Sequence, residues 1–436
     1  MKSDSNSLSV PEGFELGFVK SDDEVDELIK FNTTIHNELI ASYLERRLEQ
    51  LPDFTRELNY YIRNLDTGEI VSSLSAVPNT WEYDGIPLRN LELDCVGTSE
   101  QFRKRGFIRL LYSKFQEELN RGEYHISSLQ GIPEFFRQFG YDFIFPLPQF
   151  SHVALRVDQI PRIMADDTPS FMPLNIRDAD IPDLDEIIRL FDELGARLLV
   201  RSGRSRGLWI IQEQFRKWRA FDFQTKIVER EGEIDGYFRY VTHGDDSPMS
   251  QVWGTSSIDV IESSITSYDG VMRVLHYLKE IAIKDGIPLI FLPITSASNL
   301  SRICIDLGGT VDTAWKYQIR VHDMELLLRD IVPALERHLK GTMFSNLTRE
   351  LTINTYHNCY SLVFEDGKLN LVRDLGIKPW GDLSIRYHDL VRLIFGESDL
   401  LELRRMHADI MFSGDIKAFI DTLFPKGESH IHYCYC

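Results

Sequence analysis

No run of about 18 apolar residues occurs in the chain, so no helix that crosses a bilayer is expected. The opening segment MKSDSNSLSVPEG is polar rather than signal-like, which predicts a cytoplasmic protein without a secretory leader. Cysteine is scarce. Cys95, Cys304, Cys359, Cys434 and Cys436 are odd in number and mostly isolated, which argues against a disulfide framework and fits reduced thiols. Positive charge is in deficit, with 48 Lys and Arg against 67 Asp and Glu, a formal net charge of −19 and a pI near 5.1. Affinity for phosphate backbones needs clustered cations, so nucleic acid is not expected as a partner and amine-bearing ligands are favoured. Neither G-x-x-x-x-G-K-[ST] nor G-x-G-x-x-G is present, which removes the P-loop and the dinucleotide fingerprint.

What is present is apolar material for several cores. The 436 residues are 43% hydrophobic and 11% aromatic, which excludes wholesale disorder and predicts two to four domains. Residues 14 to 94 read as a strand, a helical stretch from Asp22 past Leu48 and a β-meander, with a hairpin at Leu58–Arg63, Asp66–Gly68 and Glu69–Val77. A strand at Leu91–Thr98 leads into the basic turn Gln101–Gly106. A helix follows, with Ile108, Leu111, Tyr112, Phe115 and Leu119 on one face.

A second α/β block repeats this order of elements from about residue 160. It has a strand and capped helix at Asn175–Phe191, a hairpin at Lys226–Tyr240, a helix over Gly270–Lys284 and a strand at Leu289–Pro293. Where the first block has its basic turn, the second has Ile258–Gly270 with no Arg or Lys, the same architecture without the anion site. From about Met324, strands flanked by helices suggest a third, α+β module.

The basic turn carries the chemistry. A strand followed by backbone N–H groups at a helix N-terminus makes an anion site, and Arg103, Lys104 and Arg105 add charge around it. Gly106 lets a phosphate approach the backbone. Positive charge at a helix N-terminus opposes the macrodipole, so a bound anion explains these residues better than a solvated charge run does.

Val96–Ile108 (VGTSEQFRKRGFI) resembles the acetyl-CoA motif of the GNAT superfamily of N-acetyltransferases, with Ile108 in place of the usual small last residue. Further on, Pro133–Tyr141 (PEFFRQFGY) resembles that superfamily's second signature, a short helix ending in F-G-[YF]. The domain order of the whole chain, ending in Leu423-Phe-Pro, resembles the Eis (enhanced intracellular survival) family. That resemblance implies a mixed α+β fold of tandem GNAT domains, 1–155 active and 156–322 degenerate, followed by a sterol carrier protein-like domain at 323–436. It implies N-acetylation of aminoglycosides, polyamines or lysine side chains, and a homo-oligomer, a hexamer in that family. It also implies acetyl-CoA bound by Val96, Gly97, Thr98, Arg103, Lys104, Arg105, Gly106, Phe107, Ile108 and Arg109, with no metal. The tyrosine of F-G-Y as general acid maps onto Tyr141, and a C-terminal carboxylate as base maps onto Cys436.

Such a pair suits the reaction, because the attacking amine must lose a proton and the departing thiolate must gain one. A tyrosine, with an ordinary pKa of about 10, holds a proton to give, and a terminal carboxylate of about 3.3–3.7 is ionised to accept one. Backbone N–H groups near Val96 to Thr98 would polarise the thioester carbonyl. Other readings stand beside these. Glu92 and Asp94 share a strand face and could serve as base or form an ordinary polar face. His36 and Asn37 could line an amine pocket or a helix surface. His430, His432, Cys434 and Cys436 are a zinc-like set, but ligands at every second strand position fan out rather than converge. The alternative function is a CoA- or lipid-binding regulatory protein with a silent GNAT core.

Overall fold

The computed structural model describes residues 9–50, 55–147, 151–162, 174–214, 216–218, 221–292, 299–313 and 315–432. The first block contains β1 (Phe14–Phe18), α1 (Asp22–Ile35), α2 (Glu38–Gln50), β2 (Asn59–Asn64), β3 (Ile70–Tyr83), β4 (Ile86–Thr98), α3 (Phe107–Arg121), β5 (Ile126–Leu129) and β6 (Asp142–Pro146). The helical stretch expected from Asp22 past Leu48 is thus two helices. Ser21 opens α1 through a capping box with Glu24, α1 ends at His36, and the Asn37 side chain accepts from Ile40 N at 3.1 Å to start α2. β3 and β4 form a long hairpin whose turn, Asp84-Gly85, has positive φ at both residues, as a tight hairpin turn requires.

The second block contains β7 (Ser151–Arg156), β8 (Leu174–Asp178), α4 (Leu184–Gly195), β9 (Val200–Ser202), α5 (Arg206–Gln214), β10 (Lys217–Trp218), β11 (Phe221–Arg230), β12 (Glu233–His243), α6 (Pro248–Trp253), β13 (Ser257–Ser263), α7 (Tyr268–Asp285), β14 (Leu289–Leu292), α8 (Asn299–Asp306), β15 (Thr310–Thr313) and β16 (Lys316–Val321). Two sheets result. One runs β1-β2-β3-β4-β5-β16-β6, with β9 beside the far end of β3; the other runs β10-β11-β12-β13-β14-β7-β15, with β8 beside β11. The chain therefore crosses between the sheets four times, from β6 to β7, β8 to β9, β9 to β10 and β15 to β16. β7 pairs with β14 and β15, and β16 returns to sit between β5 and β6. In each sheet the fourth strand of a meander lies parallel to the strand that follows the long helix, β4 with β5 and β13 with β14.

Residues from Met324 onward form a five-stranded sheet flanked by helices, the first of them Met324–Asp330 and Val332–Leu339. Leu327, Leu335, Leu362, Leu390 and Phe419 share one apolar core with Trp81, Tyr83, Ile126, Phe145 and Tyr317, so this part is seated against the first sheet. Burying side chains of this size stabilises by roughly 1.5–3 kcal/mol each.

Candidate active site

β4 is bulged. Ser73 pairs with Gly97 and Ser75 with Asp94, leaving one extra residue on β4, and Cys95 takes a positive φ of 49°. β4 runs beside β5 only from Asn90 to Glu92 and then turns away, so its edge over Leu93–Thr98 has no strand partner on that side among the described residues. Gly97 must be glycine, because a Cβ there would meet Ile35 Cγ2 at 2.6 Å. Ser72 ties the strand end down, donating to Gly97 O at 2.8 Å and meeting Thr98 Oγ1 at 2.8 Å.

The basic turn lies just beyond. Gly106, with φ 83°, begins α3 with no side-chain cap and no acidic residue in the first turn, and nothing lies within 4 Å of where its Cβ would stand. Among the described residues, the N–H groups of Arg105, Gly106, Phe107 and Ile108 donate to no partner, and Arg103, Lys104, Arg105 and Arg109 form no ion pair. Arg103 donates to Thr98 O at 3.4 Å, and Arg105 lies over the rings of Phe14 and Phe102. Phe107 is buried and anchors the helix start against Phe14. Unsatisfied N–H groups, exposed cations and a glycine notch together make a cradle whose chemistry suits a phosphate group.

Leu91 and Leu93 pack toward α3, so Asn90, Glu92 and Asp94 face the opposite side of the sheet. Glu92 is buried, accepts from Asn79 Nδ2 at 3.2 Å, and has its pKa pushed up to about 8 by burial and by the Asp94 charge. Asp94 is paired at 2.9 Å with Arg47, a buried guanidinium from α2 that also lies over the Tyr43 ring and donates to Cys95 Sγ at 3.4 Å. Burial and the Asp94 charge push the Cys95 thiol up to about 12, which leaves it a poor nucleophile. Asn90 Oδ1 is buried without a hydrogen-bond partner among the described residues. His36 stands at the rim, its Nε2 3.5 Å from the Cβ position of Gly97, while Asn37 caps α2 instead of lining the site. Sequence reading left Glu92 and Asp94 as either a base or a polar face, and it missed Arg47. Period-two spacing tells which face a residue is on and not what covers it.

On the α3 face, Tyr141 is fully buried among Phe136, Leu91 and Leu129, and burial together with neighbouring Tyr112 holds its pKa well above the ordinary value. Its hydroxyl meets Ser127 Oγ at 2.6 Å. Tyr141 and Glu92 are thus on opposite sides of the β4–β5 pair. Cys434 and Cys436 lie outside the described residues. The strand Ser429–His430 pairs with β9, which pairs with β3, and it runs toward the bulged end of β3. His430 and His432 are held below the ordinary histidine pKa by burial, His430 at about 4. Among the described residues, no group of three or more His, Cys, Asp or Glu could hold a metal ion, and no helix is long and apolar enough to cross a membrane.

Residues 23–144, which span the bulge, the cradle and Tyr141, match the acetyltransferase (GNAT) domain family. That stretch is similar to a GNAT acetyltransferase domain. No curated protein matches its sequence. Solved structures similar over nearly all of it include a probable N-acyltransferase from Enterococcus faecalis V583 (TM-score 0.69, 12% identity, 96% of this chain and 99% of that one). A GCN5-related N-acetyltransferase from Anabaena variabilis is similar at TM-score 0.67 and 12% identity, with the same coverage. Eis1 from Mycobacterium abscessus is similar at TM-score 0.60 and 14% identity, again covering 96% of this chain and 99% of that one. At these identities the likeness is one of fold, and the GNAT match supports acyl transfer.

Proposed function

We propose that the chain is an acetyl-CoA-dependent N-acetyltransferase that moves the acetyl group directly to a primary amine within a ternary complex. One observation carries this reading: an uncapped, cation-rich helix N-terminus beside a splayed β4–β5 pair, with the buried carboxylate of Glu92 across the sheet. Gly106 and its neighbours would hold the CoA phosphates, Arg103, Lys104 and Arg109 adding charge, and the open edge of Val96–Thr98 would orient the thioester. Glu92 is suited to take the amine proton, since a base is most effective when its pKa lies near the working pH. The unpartnered Asn90 Oδ1 suits an N–H donor. An aminoglycoside, polyamine or lysine side chain fits this chemistry and the acidic chain.

The Cys436 carboxylate is the other proposed proton acceptor, favoured by the direction of the strand Ser429–His430. Deleting Cys436 lowers kcat at least tenfold if it is the acceptor and leaves kcat unchanged if Glu92 is. Tandem GNAT domains, a sterol carrier-like third domain, hexameric assembly and a cytoplasmic location belong to the same proposal. Thiol release from acetyl-CoA with a panel of amines is the test. CoA binding without turnover would overturn the enzyme reading in favour of a silent CoA- or lipid-binding regulator.

A further inference from the structure

The pairing of β3, β4 and β5 sets four polar side chains on one face of the first sheet. Asn79 lies opposite Asn90 and Val77 opposite Glu92, and Glu92 lies beside Ser128 on β5, so Asn79, Asn90, Glu92 and Ser128 share the face away from α3. On the same face Trp81, Leu88 and Ile126 belong to the apolar core shared with the residues from Met324 onward. Asn90 and Ser128 are fully buried. Asn90 Nδ2 donates to Asn79 Oδ1 at 2.8 Å and to Ser128 Oγ at 2.7 Å, and Asn79 Nδ2 donates to Glu92 Oε2 at 3.2 Å. The carboxylate sets the direction of this chain. It can only accept, so Asn79 turns its NH2 to Glu92 and its carbonyl to Asn90, and Asn90 must answer with its own NH2. Turning the Asn90 amide round would set two carbonyls against each other. That accounts for Asn90 Oδ1, left buried and unpaired among the described residues.

Resting on the acetyl-transfer reading above, with Glu92 as the base, we propose that Asn79 is a positioning residue: Asn90 and Ser128 lock its amide as a donor, and that donor holds one Glu92 oxygen in place and favours the ionised carboxylate. Asn79 acts through Glu92 and not on the amine. A carboxyl buried to 6% exposure is otherwise kept protonated and idle as a base, because burial penalises the charged form. The groups that face Glu92 divide accordingly. Burial and Asp94 on its own strand oppose ionisation, while Arg47 from α2, Gln130 beyond β5 and Asn79 from β3 favour it. Arg47 is bound to Asp94 at 2.9 Å, so its charge is answered there first. A neutral amide steadies the carboxylate without a fixed positive charge that would hinder proton uptake. That suits a group which must gain and lose a proton in every cycle.

Asn79→Leu keeps the size of the side chain and removes the donor. The pH midpoint of kcat/KM for thiol release should rise by about one unit, which lowers kcat/KM about tenfold at pH 7 and leaves it within about threefold of wild type at pH 10. The KM for acetyl-CoA should stay within about twofold. Asn90→Leu and Ser128→Ala unlock the Asn79 amide and should move the midpoint the same way by less, whereas Asn79→Gln keeps an amide donor and should recover part of the shift. Ser128→Ala removes one atom and carries the test should Asn79→Leu not fold. In the protein without ligand, NMR of carboxyl-labelled glutamate, with Glu92→Gln identifying the signal, should show Glu92 titrating at the same midpoints. Midpoints that do not move in the folded variants overturn the positioning role of Asn79 alone. A wild-type midpoint that survives Glu92→Gln overturns Glu92 as the base, and wild-type protein that releases no thiol with any amine overturns the acetyl-transfer reading, the role of Asn79 falling with either.

Discussion

The two large sheets are built alike, yet one presents a site and the other fills it. Both carry a bulge in the strand that precedes the long helix, opposite Ser73–Ser75 in the first sheet and opposite Arg239–Tyr240 in the second. The first helix, α3, starts at an uncapped glycine among free cations. The second, α7, is capped by Ser267, which accepts from Gly270 N, and has Asp269 in its first turn. Its N–H groups and its dipole are satisfied from within. Across the second sheet, Arg204 pairs with Glu262 at 2.6 Å, Arg239 pairs with Glu213, and both guanidinium groups lie over the Trp209 ring. On the same scaffold, the proposed ligand site lies where local sequence withholds the internal partner.

That comparison can be broken most sharply at its carboxylates. Glu92→Gln should lower kcat/KM about 10²- to 10⁴-fold, while Asp259→Asn, on the matching strand of the second sheet, should leave it within about twofold. Wild-type kcat/KM should rise with pH and level off above about 8, where Glu92 is ionised, as measured by thiol release. The same raised pKa means that Glu92 favours folding when protonated. Its contribution is complete below about 4.5 and is lost as pH rises through about 8, so Glu92→Gln should melt later than wild type at pH 9.

The next largest effect is on stability. Glu262 is desolvated, but Arg204 and Arg239 outweigh that cost and hold its pKa at about 2. Its contribution is full above about 4.5 and is lost as pH falls toward 2. Glu262→Gln leaves two buried guanidinium groups short of a counter-charge and should cost about 3–5 kcal/mol in chemical denaturation at pH 7, with no effect on the KM for acetyl-CoA. Gly106→Ala should raise that KM about tenfold and cost about 1 kcal/mol, because φ 83° is strained for alanine. Smallest is Ser267→Ala, which should cost about 1 kcal/mol of stability from the lost cap and leave acetyl-CoA binding unchanged. A large KM change there would dissolve the contrast between α3 and α7.

The parts of the site legible in the sequence are the local ones. The amphipathic face of α3, the glycine at its start and the cations before it are all signals within one short segment. The bulge was not legible, since nothing in Leu91–Thr98 marks Cys95 for a positive φ. Arg47 was not legible either. Its place depends on which helix folds back over β4, and long-range packing leaves no periodic trace in the chain.

The crossing of β7 and β16 bears on how the molecule is made. Among the described residues, β6 pairs with β16 and with no other strand. During synthesis from the N-terminus, the first sheet therefore waits with an open edge beside β5 until Val321 has emerged. A nascent chain in that interval exposes Phe145, Ile144 and Leu129, a target for chaperones and a hazard for edge-to-edge aggregation. A fragment ending before β16 should express poorly even though it contains the bulge, the cradle and Glu92.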